Sequence, residues 1–397
     1  MKILLVHNFY QSTHVGGEDL VFDQEKKALI MVLGESNVFS YSVSNDKINR
    51  FKLLFSIFHN FYHANKIYKL IKEKNIDIMH VHNYFPLLTP SIFKAAKQAG
   101  AKVVYTLHNY REWCLSGLFY RKNKPDCTDC SQLKLPLPAI KNNCYRNSKI
   151  QTLLAGLASF FYKKNRHLNY VDTFFVLSET QKNILKKIQT PIFSKITIKP
   201  NFVHSIQSVN VNNLNVQNIR KNYLFVGRLE EIKGIELLLN CWKNLEADFV
   251  LEVIGSGPDQ ERLQKKYQKN NILFLGKLPR EQVLEKMAQA KYVIHAGIVQ
   301  ETQGLTIVEA LAQGTPVIGF AIGTRKEYIQ SGYNGFLCEI DALEKIILKT
   351  ERLFQNNFDA YQLLCQQAIL SAQPYMPNQI IAKQLDLYHA LCGEKSS

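Results

Sequence analysis

The sequence lacks the features of a membrane-spanning, exported or low-complexity chain. No uninterrupted apolar run reaches about 18 residues, so we expect no spanning helix. The first residues, Met1–Asn8, form a short apolar run without the longer apolar stretch and cleavage site of a signal peptide. We therefore expect a cytoplasmic chain in a reducing compartment. Its eight cysteines are then thiols or metal ligands and not disulfides.

Acidic residues are too few to balance the basic ones. The chain has 33 Asp and Glu against 49 Lys and Arg, a net charge of +16, which favours anionic partners such as nucleic acid, acidic lipid headgroups or phosphorylated substrates. Nucleic-acid binding calls for a basic stripe with interleaved aromatics or a recognised module. Here Lys and Arg are spread along both halves, so we expect no nucleic-acid partner.

Apolar runs alternate with amphipathic segments in the first half of the chain. This alternation predicts a parallel, doubly wound sheet with ligand crevices at the carboxyl ends of its strands. The predicted strands are Lys2–His7, Ile76–Val81, Val103–His108 and Thr173–Leu177, and the predicted helices are Asp19–Leu33, Ser91–Ala99 and Thr180–Lys187.

The same alternation restarts after a polar segment, His204–Asn222, which we interpret as a linker. The predicted strands of the second half are Tyr223–Val226, Phe249–Ile254, Ile272–Phe274, Tyr292–Ala296 and Pro316–Gly319, and its predicted helices are Ile235–Trp242, Gln260–Gln268, Arg280–Ala288 and Leu305–Gln313. At 397 residues the chain is long enough for two domains. We expect an α/β fold with Rossmann-like domains at 1–203 and 223–372, a linker at 204–222 and a ligand cleft between the domains.

Two glutamates bracket a predicted helix start in the second half. Glu301 follows a predicted strand, Gly304 opens the helix, and Glu309 lies within it. The first amides of a helix have no intrahelical partner and favour anions, and nearby carboxylates can accept hydrogen bonds from sugar hydroxyls. The alternative is a surface helix with two unrelated glutamates.

Two cationic side chains follow the first strand of the second half. Arg228 and Lys233 lie in Val226–Gly234, where that strand passes into its helix. The rigid fork of arginine and the mobile charge of lysine together suit a diphosphate. The alternative is an ordinary solvated Lys-Gly turn.

Four motifs in this order resemble the retaining, GT-B-type glycosyltransferases called family four. They are Gly227-Arg228 with Lys233-Gly234, then Val253-Ile254-Gly255-Ser256-Gly257-Pro258, then Phe274-Leu275-Gly276, then Glu301 and Glu309 followed by Ala-Leu-Ala-Gln-Gly-Thr-Pro-Val. The first half resembles the family through Gly16-Gly17-Glu18 and through Thr106-Leu107-His108-Asn109-Tyr110-Arg111. The latter stretch, with the cysteines after it, is similar to bacterial enzymes that build capsular or lipopolysaccharide sugars.

The resemblance implies a role for each matching residue. Arg228 and Lys233 would bind the donor phosphates, Glu309 the nucleotide ribose and Glu301 the transferred sugar. The remaining implied contacts are the amides near Gln303, Gly304 and Leu305 on sugar and phosphate, the glycine loop Gly16-Gly17 near the diphosphate, and His108 close to the reacting sugar. Gln303 departs from the Phe that relatives commonly carry, which leaves the sugar open. As in relatives, residues 373–397 would pack back on the first domain.

The resemblance also implies the chemistry. We expect a hexosyltransferase-type enzyme that uses a nucleotide-sugar as co-substrate, requires no cofactor and needs no catalytic metal. Arg228 and Lys233 would neutralise the leaving diphosphate, and a donor phosphate oxygen would take the acceptor's proton. No residue suggests itself as a covalent nucleophile. The acceptor would be a lipid-linked or polysaccharide intermediate of cell-surface glycan synthesis. A nucleotide-sugar epimerase and a non-catalytic nucleotide-sugar binding module remain alternatives.

Four cysteines lie close together in a loop rich in Pro and Lys: Cys114, Cys127, Cys130 and Cys144. Four thiolates can form a tetrahedral structural zinc site. The spacing has one Cys-x-x-Cys between two lone cysteines and matches no paired pattern, so reduced thiols are the alternative.

Aromatic and basic residues are mixed in Arg50–Tyr62, where Phe51, Phe55, Phe58 and Tyr62 would share one helical face. With the positive charge, this face could dock on an anionic membrane at the inner face of the cell membrane, where a lipid-linked acceptor would lie. The alternative is that the aromatics face the core. His80, His82 and His295 are interpreted as histidines satisfied by hydrogen bonds and not as a metal or base site.

Overall fold

The chain forms two units in the computed structural model, which describes residues 1–10, 16–47, 50–122, 124–204 and 220–393. The first unit comprises Met1–Asn201 together with the residues from Asn378 onward, and the second comprises Phe202–Pro377. The predicted boundaries at 203 and 372 lie close to these positions. Most of the predicted linker, residues 205–219, lies outside the described residues.

A six-stranded parallel sheet is the centre of the first unit, with strand order β2-β1-β3-β4-β5-β6. The strands are β1 (Ile3–Phe9), β2 (Val38–Ser44), β3 (Ile78–Asn83), β4 (Lys102–Thr106), β5 (Thr173–Val176) and β6 (Ile196–Ile198). Its helices are α1 (Gly17–Leu33), α2 (Arg50–Ser56), α3 (Phe61–Lys74), α4 (Ser91–Ala99), α5 (Leu137–Lys141), α6 (Lys149–Lys164) and α7 (Glu179–Lys187).

A second six-stranded parallel sheet is the centre of the second unit, with strand order β12-β11-β10-β7-β8-β9. The strands are β7 (Asn222–Val226), β8 (Leu251–Ile254), β9 (Ile272–Gly276), β10 (Ala290–His295), β11 (Val317–Phe320) and β12 (Gly335–Cys338). Its helices are α8 (Ile235–Trp242), α9 (Gln260–Tyr267), α10 (Arg280–Gln289), α11 (Leu305–Ala312), α12 (Arg325–Tyr328), α13 (Leu343–Asn356) and α14 (Phe358–Ala372).

A last helix, α15 (Pro377–Cys392), returns the chain to the first unit. It contributes Gln384 and Tyr388, both fully buried, to hydrogen bonds with side chains of α1 and β3. Short 3-10 turns complete the secondary structure at Glu35–Asn37, Asn45–Lys47, His167–Tyr170, Phe193–Lys195, Glu231–Lys233, Ile340–Ala342 and Gln373–Tyr375. No helix in the described part of the chain is long and apolar enough to cross a membrane.

The central strands carry apolar residues on both faces because parallel sheets are covered on both faces. Residues Ile3–Asn8 of β1 and all of β3 and β10 are buried. Polar caps start several helices: the side chain of Asn60 accepts from the His63 amide at α3, and that of Ser148 accepts from the Gln151 amide at α6. The prediction of two doubly wound α/β sheets is confirmed.

The prediction of one helical face for Phe51, Phe55, Phe58 and Tyr62 is wrong. Helix α2 ends at Ser56 and α3 starts at Phe61, because Asn60 caps a new helix. Phe58 packs on the core cluster, whereas the exposed fractions of Phe55 and Tyr62 are 83% and 61%. Nothing is described of the side chains of Arg50–Lys52, which include Phe51.

The order of the strands in each sheet predicts where ligands bind. In the second unit the chain runs from β7 to β8 and β9 on one side, and then continues with β10 on the other side of β7. In such sheets ligands bind beyond the carboxyl ends of the strands where the order reverses, here β7 and β10. The corresponding strands of the first unit are β1 and β3.

Candidate active site

Lys233 and Glu301 meet beyond the carboxyl ends of β7 and β10. The Lys233 Nζ lies 2.6 Å from Glu301 Oε1. Gly234 makes this approach possible: its φ is +65°, and a Cβ there would lie 1.7 Å from the carbonyl oxygen of Ala296. Only glycine lets the turn after β7 lie against the chain after β10. The prediction that both residues lie at this edge of the sheet agrees with the structure.

The other oxygen of Glu301 faces a histidine and a buried arginine. His295 Nε2 lies 3.3 Å from Glu301 Oε2, and Arg325 Nη1 lies 3.4 Å from His295 Nδ1. Arg325 is fully buried and donates to the carbonyl oxygens of Phe320 and Val299. Sequence reasoning missed Arg325, and it treated His295 as a satisfied histidine without linking it to Glu301.

The charges of this group are set by burial and by the neighbouring cations. Burial alone would raise the pKa of Glu301, but Lys233 and His295 hold that pKa well below its usual range. Burial lowers the pKa of His295 despite the opposing effect of Glu301. At neutral pH the group is therefore an ionised carboxylate, a neutral histidine and two cations, which leaves it with a net positive charge.

Helix α11 starts beside this group. Gly304 precedes the helix with φ +76°, and a Cβ there would lie 3.3 Å from Thr324 Oγ1 and 3.6 Å from Glu301 Oε2. The first amides of α11, from Leu305 onward, therefore lie close to the Glu301 carboxylate. Gln303 is buried, with an exposed fraction of 2%. The start of an eight-residue helix next to cations is suited to an anionic group.

Arg228 lies in the same turn as Lys233 and has a different partner. Its side chain is 51% exposed, and its Nε lies 3.4 Å from Glu230 Oε2. The turn is held in place from β8, because the amide of Leu229 donates to the carbonyl oxygen of Ser256. Such an exposed guanidinium retains the freedom to reach a bound anion, and its role on the donor phosphates stays a prediction.

Glu309 belongs to a separate ion pair. It is buried within α11, and its Oε1 lies 2.6 Å from an Nη atom of Arg280, the first residue of α10. Burial raises the pKa of Glu309, and Arg280 opposes that effect. The two glutamates of the motif therefore contact different cations. Sequence reasoning missed Arg280, which gave no signal beyond its place at a helix start.

Gly16 and Gly17 begin helix α1 in the first unit. The amide of Gly16 donates to Asp19 Oδ2 at 2.9 Å, and a Cβ on Gly16 would lie 2.9 Å from the ring of Tyr10. A Cβ on Gly17 would meet no described atom within 4 Å, and Gly17 is exposed, so its surface is open to a ligand. Residues 11–15 of the loop lie outside the described residues.

His108 follows β4 and contacts a second histidine. Its Nε2 lies 3.0 Å from Nδ1 of His82, the fifth residue of β3. Burial lowers the pKa of His82 to about 3 and holds the pKa of His108 well below its usual range. Both rings are therefore neutral at pH 7. The structure shows where each candidate site residue lies. The role of each residue in binding or catalysis stays a prediction.

The four cysteines of the loop lie in the same region of the first unit, but their sulfur atoms do not form a closed metal site. Cys130 is buried in the core, where Cys114 and Cys144 also pack. Burial raises the pKa of Cys130 to about 11, and the other three thiols add to the effect. All four belong to the described residues and are free thiols, and no three of their sulfurs lie within 4.8 Å of one another. Structural zinc therefore stays a prediction, as does the absence of a catalytic metal.

Two family models match the chain in the order of its units. The family "Glycosyltransferase Family 4" matches residues 35–205, and "Glycosyl transferases group 1" matches residues 209–369. Together the two models match well over half of the chain. This chain is a family-four glycosyltransferase. It is an enzyme of the hexosyltransferase type, as its family and its named relatives indicate.

Two relatives show how far the similarity extends. The chain is 29% identical over 140 residues to the uncharacterized glycosyltransferase MJ1069 of Methanocaldococcus jannaschii, which covers 34% of this chain and 36% of that protein. It is 25% identical over 331 residues to the alpha-monoglucosyldiacylglycerol synthase of Acholeplasma laidlawii, which covers 80% of this chain and 75% of that protein. The chain thus spans about a third of the first relative and three quarters of the second.

A solved structure shares the fold. Anabaena Alr3699/HepE in complex with UDP superposes with a TM-score of 0.64 at 17% identity, over 98% of this chain and all of that one. The same protein has also been solved with UDP-glucose. At this identity the likeness shows the fold, and it confirms the prediction of a GT-B glycosyltransferase fold for this enzyme.

Proposed function

We propose that this glycosyltransferase moves a hexose, with retention of configuration, from a nucleoside-diphosphate sugar to a lipid-linked or polysaccharide intermediate of cell-surface glycan synthesis. The observation that carries the donor half of this proposal is the group at the β7 and β10 edge. There the Lys233–Glu301 contact of 2.6 Å lies beside the first amides of α11, and Arg228 extends from the same turn. A diphosphate needs cations and amides, and a sugar needs a carboxylate acceptor for its hydroxyls.

The proposed mechanism relies on electrostatic stabilisation. Arg228, Lys233 and the amides at Leu305 would stabilise the charge that develops on the leaving diphosphate, and a phosphate oxygen would take the acceptor's proton. Glu301 is a poor candidate for a covalent nucleophile, because its two oxygens contact Lys233 and His295. Trapping a glycosyl-enzyme intermediate would contradict this mechanism.

Donor binding is tested by thermal unfolding with a panel of nucleotide sugars. A donor at 100 times its dissociation constant is expected to add about 2.7 kcal/mol to the free energy of unfolding. UDP-sugars come first in the panel, because a protein with the same fold has been solved with UDP-glucose. If no nucleotide sugar raises the unfolding temperature, the proposed function is wrong.

Catalysis is tested with Arg228→Ala. By analogy with the loss of one oxyanion donor, this variant should lower turnover roughly 10²–10³-fold. Arg262→Ala is the matched control: Arg262 has the same side-chain exposure of 51% and a glutamate partner, Glu236, but lies on α9. Turnover of the control should stay near that of the wild type. Near-normal turnover of Arg228→Ala would overturn the assignment.

Product analysis separates the alternatives. A transferase forms a new glycosidic bond and releases the nucleoside diphosphate, whereas an epimerase returns a nucleotide sugar with a changed stereocentre. A binding module gives thermal stabilisation without either product. Retention is measured in the same experiment from the anomeric coupling of the product.

A membrane-bound acceptor is supported by the surface of α6 in the first unit. Five apolar side chains along this helix are exposed, with exposed fractions from 36% to 73%: Ile150, Leu153, Leu157, Phe160 and Phe161. We call these five residues the α6 face. Phe161 contacts Phe58 at a ring-centroid distance of 6.0 Å, and the exposed Phe55, Phe61 and Tyr62 lie close to Phe58 in the sequence.

The charge around the α6 face suits an anionic bilayer. Residues 130–171 contain no Asp or Glu and seven cationic residues: Lys134, Lys141, Arg146, Lys149, Lys163, Lys164 and Arg166. Residues 47–72 likewise contain no Asp or Glu and six Lys or Arg. Basic residues around exposed aromatic and aliphatic side chains are the pattern of a helix lying in a membrane interface. The relative in Acholeplasma laidlawii is named for a diacylglycerol product.

A further inference from the structure

Glu25 of α1 is the centre of a buried polar cluster that the proposed chemistry does not use. It is fully buried, as are Lys199, His80, Gln384 and Tyr388, while His82 is 2% exposed. Glu25 Oε2 is paired with the ammonium group of Lys199. Its Oε1 lies 2.7 Å from Gln384 Nε2, 3.1 Å from His80 Nδ1 and 3.3 Å from His82 Nε2. We call these six residues the Glu25 cluster.

Four parts of the fold supply the cluster. Helix α1 supplies Glu25, strand β3 supplies the two histidines, the residue after β6 is Lys199, and α15 supplies Gln384 and Tyr388. The Tyr388 hydroxyl lies 2.6 Å from His80 Nδ1 and accepts from Gln384 Nε2 at 2.6 Å. On its other side, His80 Nε2 lies 2.7 Å from Thr106 Oγ1. Each ring is therefore fixed in place.

A metal ion is not the reason for this arrangement. Ligand atoms of Glu25, His80 and His82 do lie within 4.8 Å of one another, as in a metal site. The ammonium of Lys199, however, already contacts the carboxylate and supplies the positive charge that a metal would bring. Burial alone would raise the pKa of Glu25, but Lys199, His82 and His80 hold it well below its usual range.

The ionised carboxylate decides which nitrogen of His82 carries the proton. A neutral imidazole has one N–H and one lone pair. His82 Nε2 has no other acceptor among the described residues, and a lone pair there would face the negative charge of Glu25 at 3.3 Å. The contact is long for a hydrogen bond and poorly aligned, but its electrostatics favour the proton on Nε2. His82 Nδ1 then carries the lone pair.

The lone pair on His82 Nδ1 in turn determines which nitrogen of His108 carries the proton. His108 Nε2 lies 3.0 Å from His82 Nδ1, and two lone pairs cannot form a hydrogen bond. The rings also stack at a centroid distance of 5.2 Å and an angle of 24°. A lone pair on His82 therefore places a proton on His108 Nε2, and a neutral His108 then has Nδ1 as an acceptor.

We propose that Glu25 and His82 are positioning residues that hold His108 in one tautomer and one orientation, with its proton on Nε2. This proposal rests on the proposed function only in the implied place of His108 close to the transferred sugar. A ring with a fixed tautomer offers the sugar the same hydrogen-bonding atom in every turnover. Glu25 orients His82, and His82 orients His108. Glu25 therefore influences the hydrogen bond between His108 and the sugar without contacting the sugar.

The activity test is a double-mutant cycle on His82 and His108. His82→Leu should lower kcat roughly 10–100-fold, the usual cost of losing a partner that orients a functional histidine. In a His108→Ala background the same substitution should change kcat by no more than about twofold, because its effect passes through His108. Equal factors in the two backgrounds would overturn the proposal.

Two further variants separate positioning from stability. His82→Asn can accept from His108 Nε2 through its amide oxygen, and it should recover most of the activity that His82→Leu loses. The matched control is His167→Asn: His167 is a buried histidine of the same unit, bonded through Nε2 to Glu112 at 2.8 Å and away from His108. It should lower the unfolding temperature without a comparable loss of kcat. Failure of His82→Asn to recover activity would contradict the proposal.

Nitrogen NMR of protein with 15N-labelled histidine reads the tautomer without turnover. In the wild type His108 should show a protonated Nε2 and an unprotonated Nδ1, and in His82→Leu this preference should be lost. A proton on Nδ1 of wild-type His108 would overturn the proposal. If the enzyme uses no nucleotide sugar, the proposed function is wrong. The NMR measurement still tests whether Glu25 and His82 hold His108 in the Nε2-protonated tautomer.

Discussion

Single residues at the β7 and β10 edge determine whether the candidate site exists at all. Gly234 is the clearest case, because a Cβ there would lie 1.7 Å from a backbone oxygen of the neighbouring turn. Such a contact cannot be relieved by a side-chain rotation. The turn must move, and Lys233 moves with it.

Gly234→Ala is expected to reduce both stability and turnover. Gly276→Ala is the matched control, since its φ of +70° is close to the +65° of Gly234 but nothing lies within 4 Å of its Cβ position. The control should cost only the left-handed backbone strain, about 1–2 kcal/mol. Gly234→Ala should cost more in urea unfolding and should also lower turnover. Equal losses in the two variants would show that the contact with Ala296 is unimportant.

Sequence reasoning found the residues of the motif but not their partners. Lys233 and Glu301 were identified separately, one as a phosphate ligand and one as a sugar ligand, and the structure joins them at 2.6 Å. Arg325 and Arg280 were missed, because a lone arginine at a helix start is indistinguishable from a solvated one in sequence. Only the fold shows that Arg325 is fully buried and that Arg280 faces Glu309.

At the scale of elements, α6 is the largest surprise. Its residues Lys149–Lys164 were not predicted as a helix, because its apolar side chains lie on more than one face. Ala155, Ala158 and Tyr162 are buried against the core, while the α6 face is exposed. A helix that is apolar on its outer side as well needs a partner for that side, and we propose that the partner is an anionic bilayer.

The double variant Phe55→Glu, Ile150→Glu should lose binding to liposomes that contain anionic lipid. Both side chains are well exposed, with exposed fractions of 83% and 73%, so the fold should survive. Two buried charges at an interface oppose insertion and also repel anionic headgroups. Co-sedimentation with vesicles of mixed anionic and neutral lipid measures the effect.

The control for this experiment makes the same chemical change on the second unit. Leu363→Glu, Leu370→Glu alters two exposed apolar residues of α14, with exposed fractions of 53% and 59%, and should leave vesicle binding intact. Equal loss in both double variants would point to net charge alone. Vesicle-independent dimerisation that Ile150→Glu abolishes would assign the α6 face to a second copy of the chain instead.

Several of the strands that were predicted correctly share one property. Strands such as β1, β3 and β10 are almost wholly buried and contain apolar residues on both faces, although His80 and His82 interrupt β3 and Lys291 interrupts β10. The edge strands β2, β6 and β12 were missed, although the edge strand β9 was predicted. Ser40, Ser42 and Ser44 alternate with larger side chains in β2, and β6 is only three residues long. An edge strand buries less surface, so its sequence carries less of a signal.

At the scale of the molecule, the buried histidines predict how stability depends on pH. Burial lowers the pKa values of His80, His82 and His108 below the usual 6.5. The unfolded chain then binds more protons than the folded chain below about pH 6.5, so the free energy of unfolding falls as the pH falls. Each group contributes a slope of up to about 1.4 kcal/mol per pH unit until its folded pKa is reached.

The unfolding temperature should therefore be nearly flat between about pH 7 and 8 and should fall between pH 6.5 and about 4, before most carboxylates titrate. His82→Leu removes one of the histidines with a lowered pKa, so its unfolding temperature should fall less steeply over the same range. Calorimetry at a series of pH values measures both slopes. An unchanged slope in the variant would show that folding does not lower the pKa of His82.

The order of the units along the chain has a consequence for synthesis. Residues 1–201 leave the ribosome first, yet Gln384 and Tyr388 fill the space around Glu25 and His80 only after the whole second unit has been translated. Until then Glu25 lacks its hydrogen bond from Gln384 and His80 lacks its contact with Tyr388, so the first unit is incomplete. A premature stop codon anywhere in the second unit would therefore also destabilise the first unit, although residues 1–201 are translated before it.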